Sequence, residues 1–195
     1  MKIALSKGRV ADKFLDLLVK KNVIEQKPNF GRELIYKTND IELLIARSND
    51  VGKLLDFNYA DIAVLGSDVI NEKYENKYNE LLDLNTGKCF FALAGLSNKE
   101  SNLFRVIATK YPETAKKYLE CLKLKCEIIK MNGCLELYPR IGICDGIIDI
   151  VETGKTLEAN GLEIYKKFED VSTRIITTKE NVDNDQIKRL INKVM

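Results

Sequence analysis

This chain of 195 residues predicts an α/β layer fold. Short apolar runs alternate with stretches whose apolar positions recur at helical spacing. No internal repeat or low-complexity tract interrupts the alternation, and three prolines leave no obvious linker. The length suits one ordinary domain or two small lobes. The pattern divides into two α/β blocks, roughly 1–87 and 88–171, followed by a terminal helix.

In the first block Lys2–Ser6 reads as a strand. Val10, Phe14, Leu17 and Leu18 then recur at helical spacing, with Lys13, Asp16, Lys20 and Lys21 opposite. Glu33–Tyr36 and Ile41–Arg47 read as strands turned at Asn39-Asp40, and Ser48 as the N-cap of a helix reaching Leu55. Asp61–Leu65 is a buried-type strand closed by Gly66. The polar stretch Asn71–Asp83 reads as a surface helix or loop.

In the second block Cys89–Ala94 and Arg105–Thr109 read as strands, and Pro112 suits the first turn of a helix to about Leu122. Cys126–Met131 is a strand leading to Gly133, Glu136–Ile141 a short helix, and Gly146–Val151 a strand. Thr153–Glu158 starts another helix. Glu163–Thr178 is rich in β-formers and is interrupted by Glu169-Asp170. Ile187, Leu190, Ile191 and Val194 line one side of a helix from about Asp183 to Lys193.

Composition excludes several kinds of chemistry. There is no histidine, which removes Ser-His-Asp and Cys-His catalysis, His-ligated metals and imidazole proton transfer. The net charge of +2 gives no footprint for nucleic acid or an anionic membrane. No stretch approaches the roughly 20 apolar residues of a membrane helix. The start, MKIALSKGRV, has no secretory h-region. Five cysteines with no CxxC pair suggest free thiols in a reducing cytoplasm.

Ligands of open α/β sheets bind beyond the carboxyl ends of strands. The strongest such segment follows Gly146–Val151: Glu152-Thr153-Gly154-Lys155-Thr156. A Gly turn into a helix start directs backbone N–H groups outward, and two hydroxyls and a cation add to them, so one phosphate fits. A plain strand-to-helix turn with a Thr cap fits the same residues. A nucleoside-triphosphate P-loop does not, because it needs a glycine at position 149, which is Asp149. Asp145 and Asp149, four apart, would share one strand face and suit sugar hydroxyls, magnesium or a developing cation. Ser6-Lys7-Gly8-Arg9 and Gly66-Ser67-Asp68 also follow strands, and Arg32 and Arg47 flank the two-stranded unit. Taken together they suit a polyphosphate substrate with magnesium, whereas each alone is also an ordinary solvated charge.

These blocks resemble the short form of ATP phosphoribosyltransferase, over nearly the whole chain. Ile3-Ala-Leu-Ser-Lys-Gly-Arg9, Arg47-Ser-Asn-Asp-Val51 with Ala60–Val69, Arg105–Pro112, Asn132-Gly-Cys-Leu-Glu136 and Gly142–Leu157 carry the likeness. Ser67 stands where a Lys is common, and Cys134 and Cys144 where Ser or Ala is usual.

The resemblance implies a two-lobed fold like type II periplasmic binding proteins with the active site in the inter-lobe cleft. Lobe I would be 1–87 plus 172–195 and lobe II 88–171. It implies attack of ATP N1 on ribose C1 of phosphoribosyl pyrophosphate, with Mg2+ assisting, in the first step of histidine biosynthesis. Thr153, Gly154, Lys155 and Thr156 would hold the 5-phosphate with Glu152 at the loop edge. Asp145 and Asp149 would serve the ribose or its developing charge, and Glu136 the ribose or magnesium. Lys7, Arg9, Arg32 and Arg47 would meet ATP or pyrophosphate, and Asp68 and Lys110 would line the cleft. A homodimer within a hetero-oligomer is expected, with a regulatory subunit resembling histidyl-tRNA synthetase. The long form's histidine-sensing domain would have no room before Met195. The alternative is a non-catalytic two-lobed binding or sensor domain for a phosphorylated small molecule.

Overall fold

Strand β1 (Lys2–Ser6) shows how the first sheet is layered. Successive side chains point to opposite faces of a strand, and here both faces are covered. Ile3 and Leu5 join one apolar cluster and Ala4 the other, and β4 (Ile62–Gly66) divides Ile62 and Val64 from Ala63 and Leu65 in the same way. The computed structural model describes residues 1–38, 40–97 and 104–195. The chain forms two units, Met1–Gly87 with Ser172–Met195, and Lys88–Val171.

The first unit also contains α1 (Arg9–Lys20), β2 (Ile35–Thr38), β3 (Ile41–Ala46), α2 (Ser48–Asp56), α3 (Ser67–Lys73) and β5 (Asn79–Asp83). The returning chain adds β11 (Thr173–Thr177) and α7 (Asp185–Val194). The sheet order is β2-β3-β1-β4-β11-β5. β3, β1 and β4 run parallel, while β2 and β11 are antiparallel to their neighbours. One cluster takes Phe14, Leu15 and Leu18 of α1 with Ile187, Leu190 and Val194 of α7; the other takes Val51 and Leu55 of α2. α7 is capped by Asn184, whose side chain accepts the Gln186 and Ile187 amides at 2.9 and 3.4 Å.

The second unit contains β6 (Cys89–Leu96), β7 (Val106–Thr109), α4 (Pro112–Cys121), β8 (Glu127–Lys130), α5 (Leu137–Arg140), β9 (Gly146–Val151), α6 (Lys155–Ala159) and β10 (Leu162–Val171). Its order is β10-β6-β9-β7-β8, with β8, β7 and β9 parallel. Phe91, Leu93 and Ile148 fill one side; Ala92, Ala94, Ile147 and Leu157 fill the other.

Three expectations change, and a fourth is not tested. The polar stretch 71–83 contains a strand, β5, which pairs with β11. The break after 163 falls at Ser172 and not at Glu169-Asp170, which lie within β10 beside a register shift. Arg47 occupies the N-cap position of α2, with Ser48 already helical, and no side chain caps that helix. The predicted turn at Asn39-Asp40 falls partly outside the described residues.

Candidate functional site

Parallel strands place their carboxyl ends on one edge, so residues far apart in sequence gather there. In the first unit β1, β3 and β4 end at Ser6, Ala46 and Gly66. The Lys7 amide donates to Ala46 O at 2.9 Å, which ties two of these ends together. Lys7, Arg9, Arg47 and Asp68 therefore share this edge. Arg32 joins them, because β2 runs antiparallel and begins opposite Leu44, near the end of β3. All four cations are exposed, whereas Asp68 is 9% exposed. Gly8 makes the turn between Lys7 and Arg9 with φ 99° and ψ −146°, a conformation open essentially to glycine alone. Ser67, at the expected lysine position, is buried, and its backbone and hydroxyl pair with the backbone of Ser172.

In the second unit β7, β8 and β9 end at Thr109, Lys130 and Val151. Lys110, the 131–136 segment and the loop 152–156 follow directly. Gly154 is left-handed at φ 80° in the N-cap position of α6, and no side chain caps that helix. Thr153 is thus not spent as a cap, and Glu152, Thr153, Lys155 and Thr156 are all exposed. The Glu158 amide closes onto Gly154 O at 3.0 Å, so the amides of 154–157 precede the helical ladder. A turn lined by amides, two hydroxyls and an ammonium group can hold a phosphate.

Asp149 pairs opposite Ala92 on the face shared with Ile147 and Val151. Its Oδ1 accepts the Ile150 amide at 2.8 Å. Glu136 is half-buried at the N-cap position of α5, anchored between buried Leu135 and Pro139. Cys134 lies exposed in the same segment with φ 51°, while Cys144 is buried.

Asp145 requires a correction. It precedes β9, at the end opposite the loop, and a rise of about 3.3 Å per residue puts it roughly 20 Å from Val151, where the loop begins. Its Oδ2 accepts the amides of Arg105 and Val106 at 2.7 and 2.9 Å. The carboxylate fixes the entry of β7 and does not accompany Asp149. It also acts on Cys126, whose thiol is pushed up by burial first and by this nearby negative charge second.

One positioning residue escaped the sequence reading. Thr109 is fully buried. Its hydroxyl donates to Ile148 O at 2.6 Å and accepts the Tyr111 amide at 3.0 Å, which fixes the turn that presents Lys110. A threonine in an apolar strand reads as a β-former, and only the strand register reveals this role.

Among the described residues no group of three or more acidic or thiol side chains is arranged to hold a metal, and no helix is long and apolar enough to cross a membrane.

Residues 47–195 match the family model HisG, ATP phosphoribosyltransferase. The ATP phosphoribosyltransferase of Clostridium kluyveri is 39% identical over 204 aligned residues, covering 100% of this chain and 92% of that protein. A chain of the ATP phosphoribosyl transferase (HisG:HisZ) complex from Thermotoga maritima superposes with a TM-score of 0.85 at 30% identity, covering 100% of this chain and 96% of that one. The amino acid ABC transporter substrate-binding protein AbpA from Streptococcus pneumoniae matches in fold, with a TM-score of 0.58 at 14% identity over 100% of this chain and 86% of its own. The fold is therefore the expected two-lobed α/β architecture of type II periplasmic binding proteins. With a family model spanning most of its length and a relative this similar end to end, the chain belongs to the ATP phosphoribosyltransferase family.

Proposed function

We infer that this chain transfers the phosphoribosyl group of phosphoribosyl pyrophosphate to N1 of ATP, releasing pyrophosphate, the first step of histidine biosynthesis. The observation that carries the site assignment is the exposed loop 152–156, whose left-handed Gly154 caps α6 without using either threonine. The 5-phosphate sits on this loop, held by Thr153, Gly154, Lys155 and Thr156, with Glu152 at its margin. The nucleophile is a ring nitrogen of ATP, so a chain with no histidine needs no nucleophile of its own. The N1 lone pair forms the bond to C1, and the electrons of the C1–O bond leave with pyrophosphate. Asp149, on the strand leading into the loop, stabilises the positive charge that develops on the ribose. Glu136 orients the sugar. Lys7, Arg9, Arg32, Arg47 and Lys110 supply positive charge for the phosphates of ATP and pyrophosphate, and Asp68 orients their ligands at the first unit's edge.

Magnesium fits this donor set as a passenger of the substrate. Mg2+ keeps several waters and usually takes one or two protein carboxylates alongside substrate phosphates. The absence of a three-carboxylate cluster among the described residues is compatible with that mode. Glu136, at the start of α5, and Asp149, in the strand that leads into the loop, are the carboxylates that would share it. When bound, the ion neutralises charge on the leaving pyrophosphate.

A regulatory subunit similar to histidyl-tRNA synthetase completes the assembly, around a homodimer of this chain in the cytoplasm. Support for the second subunit comes from the Thermotoga maritima neighbour, solved as a HisG:HisZ complex. A non-catalytic sensor has less support: the binding-protein neighbour is 14% identical and carries fold alone.

The test is titration calorimetry with phosphoribosyl pyrophosphate on the Thr153→Ala/Thr156→Ala protein. Each lost charge-assisted hydrogen bond is worth about 1.5–3 kcal/mol, so affinity falls at least about tenfold. Unchanged affinity removes the loop as the 5-phosphate site. Pyrophosphate release from ATP, phosphoribosyl pyrophosphate and Mg2+, with the synthetase-like subunit present, tests the reaction itself.

A further inference from the structure

A cavity of about 530 Å³ opens in the first unit, away from the edge that carries Lys7 and Arg47. Met1, Thr38 and Ile41 line it, and they stand at the amino ends of β1 and β3 and the end of β2. Five residues of β1 separate this edge from the carboxyl edge, about 17 Å at strand rise. The opposite wall is α7, through Gln186, Arg189, Leu190, Asn192 and Lys193.

Charge and polarity divide within this cavity. Met1, Val23, Ile41 and Leu190 make an apolar floor. Arg189 and Lys193, one helical turn apart, stand on the exposed rim. The other cations of this unit include several that are neutralised: Lys188 by Asp183 at 2.8 Å, Arg174 by Glu80 and Asp83, Lys27 by Asp12 and Asp16. Arg189 and Lys193 have no ion pair among the described residues, and the cavity's single carboxylate is Asp40. Two rim cations, with the Met1 ammonium that donates to Asp40 O at 2.7 Å, outweigh one carboxylate beside an apolar floor and select a ligand with an acidic group on an apolar body. The volume lies within the range of small-molecule pockets, about 300–1,000 Å³.

We propose that this cavity is a second ligand site, separate from the substrate loops, for a small amphiphilic anion: a carboxylate- or phosphate-bearing metabolite whose apolar part rests on Val23, Ile41 and Leu190. The proposal does not depend on the substrate assignments above.

Anilinonaphthalene sulfonate, an aromatic body with one anionic group, is the probe. Its fluorescence is titrated against the full chain, the Arg189→Glu/Lys193→Glu protein and the Thr153→Ala/Thr156→Ala protein, with near-ultraviolet circular dichroism confirming that each is folded. Saturable binding is expected at one site per chain, weakened at least about tenfold by the rim substitutions and unaltered by the loop substitutions. No saturable binding, equal binding by the rim-substituted protein, or loss of binding in the loop-substituted protein would overturn the proposal.

Discussion

Asp145→Ala separates a structural carboxylate from a catalytic one. The side chain accepts two amides, one at the exposed Arg105 and one at the half-buried Val106. Water replaces the partner of the exposed amide, so most of the cost comes from the Val106 donor. Hydrogen bonds to a charged group contribute about 1.5–3 kcal/mol, which puts the expected loss at about 2–3 kcal/mol. For a chain of this size that lowers the melting temperature by about 4–12 °C. The Asp145 amide keeps its own bond to Val106 O at 2.8 Å, so β7 and β9 remain paired. Asp145→Asn retains an acceptor oxygen and should lose less. The assay pairs urea unfolding, followed by circular dichroism, with kcat/KM for phosphoribosyl pyrophosphate measured well below the melting transition. A lower midpoint with kcat/KM within about threefold of the parent, under 1 kcal/mol of transition-state stabilisation, is expected. A hundredfold or greater loss of kcat with unchanged stability would refute the reasoning and return Asp145 to the catalytic set.

Gly8→Ala meets no atom within 4 Å, so its cost is backbone strain alone, about 1–3 kcal/mol, and an unchanged urea midpoint would contradict it. Iodoacetamide at about pH 8 should modify exposed Cys121 and Cys134 well before Cys126, whose thiol is raised by burial and then by Asp145; peptide mapping that shows equal rates would count against this. A folded variant with all five cysteines replaced by Ser or Ala should keep catalysis. Asp56 is raised by burial, but hydrogen bonds from Lys77 and Tyr78 outweigh this and hold it below the ordinary carboxylate value. A depressed folded value means that its stabilisation is complete at neutral pH and is lost as acid protonates it. Asp56→Asn should therefore flatten the acid limb of stability against pH, and an unaltered limb would exclude the effect.

Much of this fold was legible because central strands such as β1 and β4 are apolar on both faces and the longer helices on one. β9 was bounded correctly from Gly146–Val151 alone, since a continuous apolar run ends there in charge and glycine. β5 was missed because Asn79, Glu80 and Asp83 are poor strand formers; pairing with β11 overrides their propensity. The β10–β11 boundary was misplaced because the polar pair Glu169-Asp170 sits beside a bulge-like register shift, which changes the outward face without ending the strand. At the candidate site, the residues after strand ends could be read from topology. Asp145 could not, because counting by twos from Asp149 assumes that the strand continues, and it begins at Gly146. Its contacts lie forty residues away at Arg105, a distance no local pattern reports.

The interleaving of β11 between β4 and β5 has a consequence for synthesis on the ribosome. The first 87 residues emerge without the strand that joins the two halves of their own sheet. Until Thr173–Thr177 follow, β5 has no neighbour in that sheet and β4 presents an open edge. The 84 residues from Lys88 to Val171 are contiguous, so the second-born unit can finish first. Non-local pairings pay loop-closure entropy before they gain contacts, which makes the first sheet the slow step. The nascent amino-terminal half must therefore be kept from edge-to-edge association while it waits, and synonymous changes that slow translation between codons 88 and 172 should raise aggregation more than the same changes placed earlier.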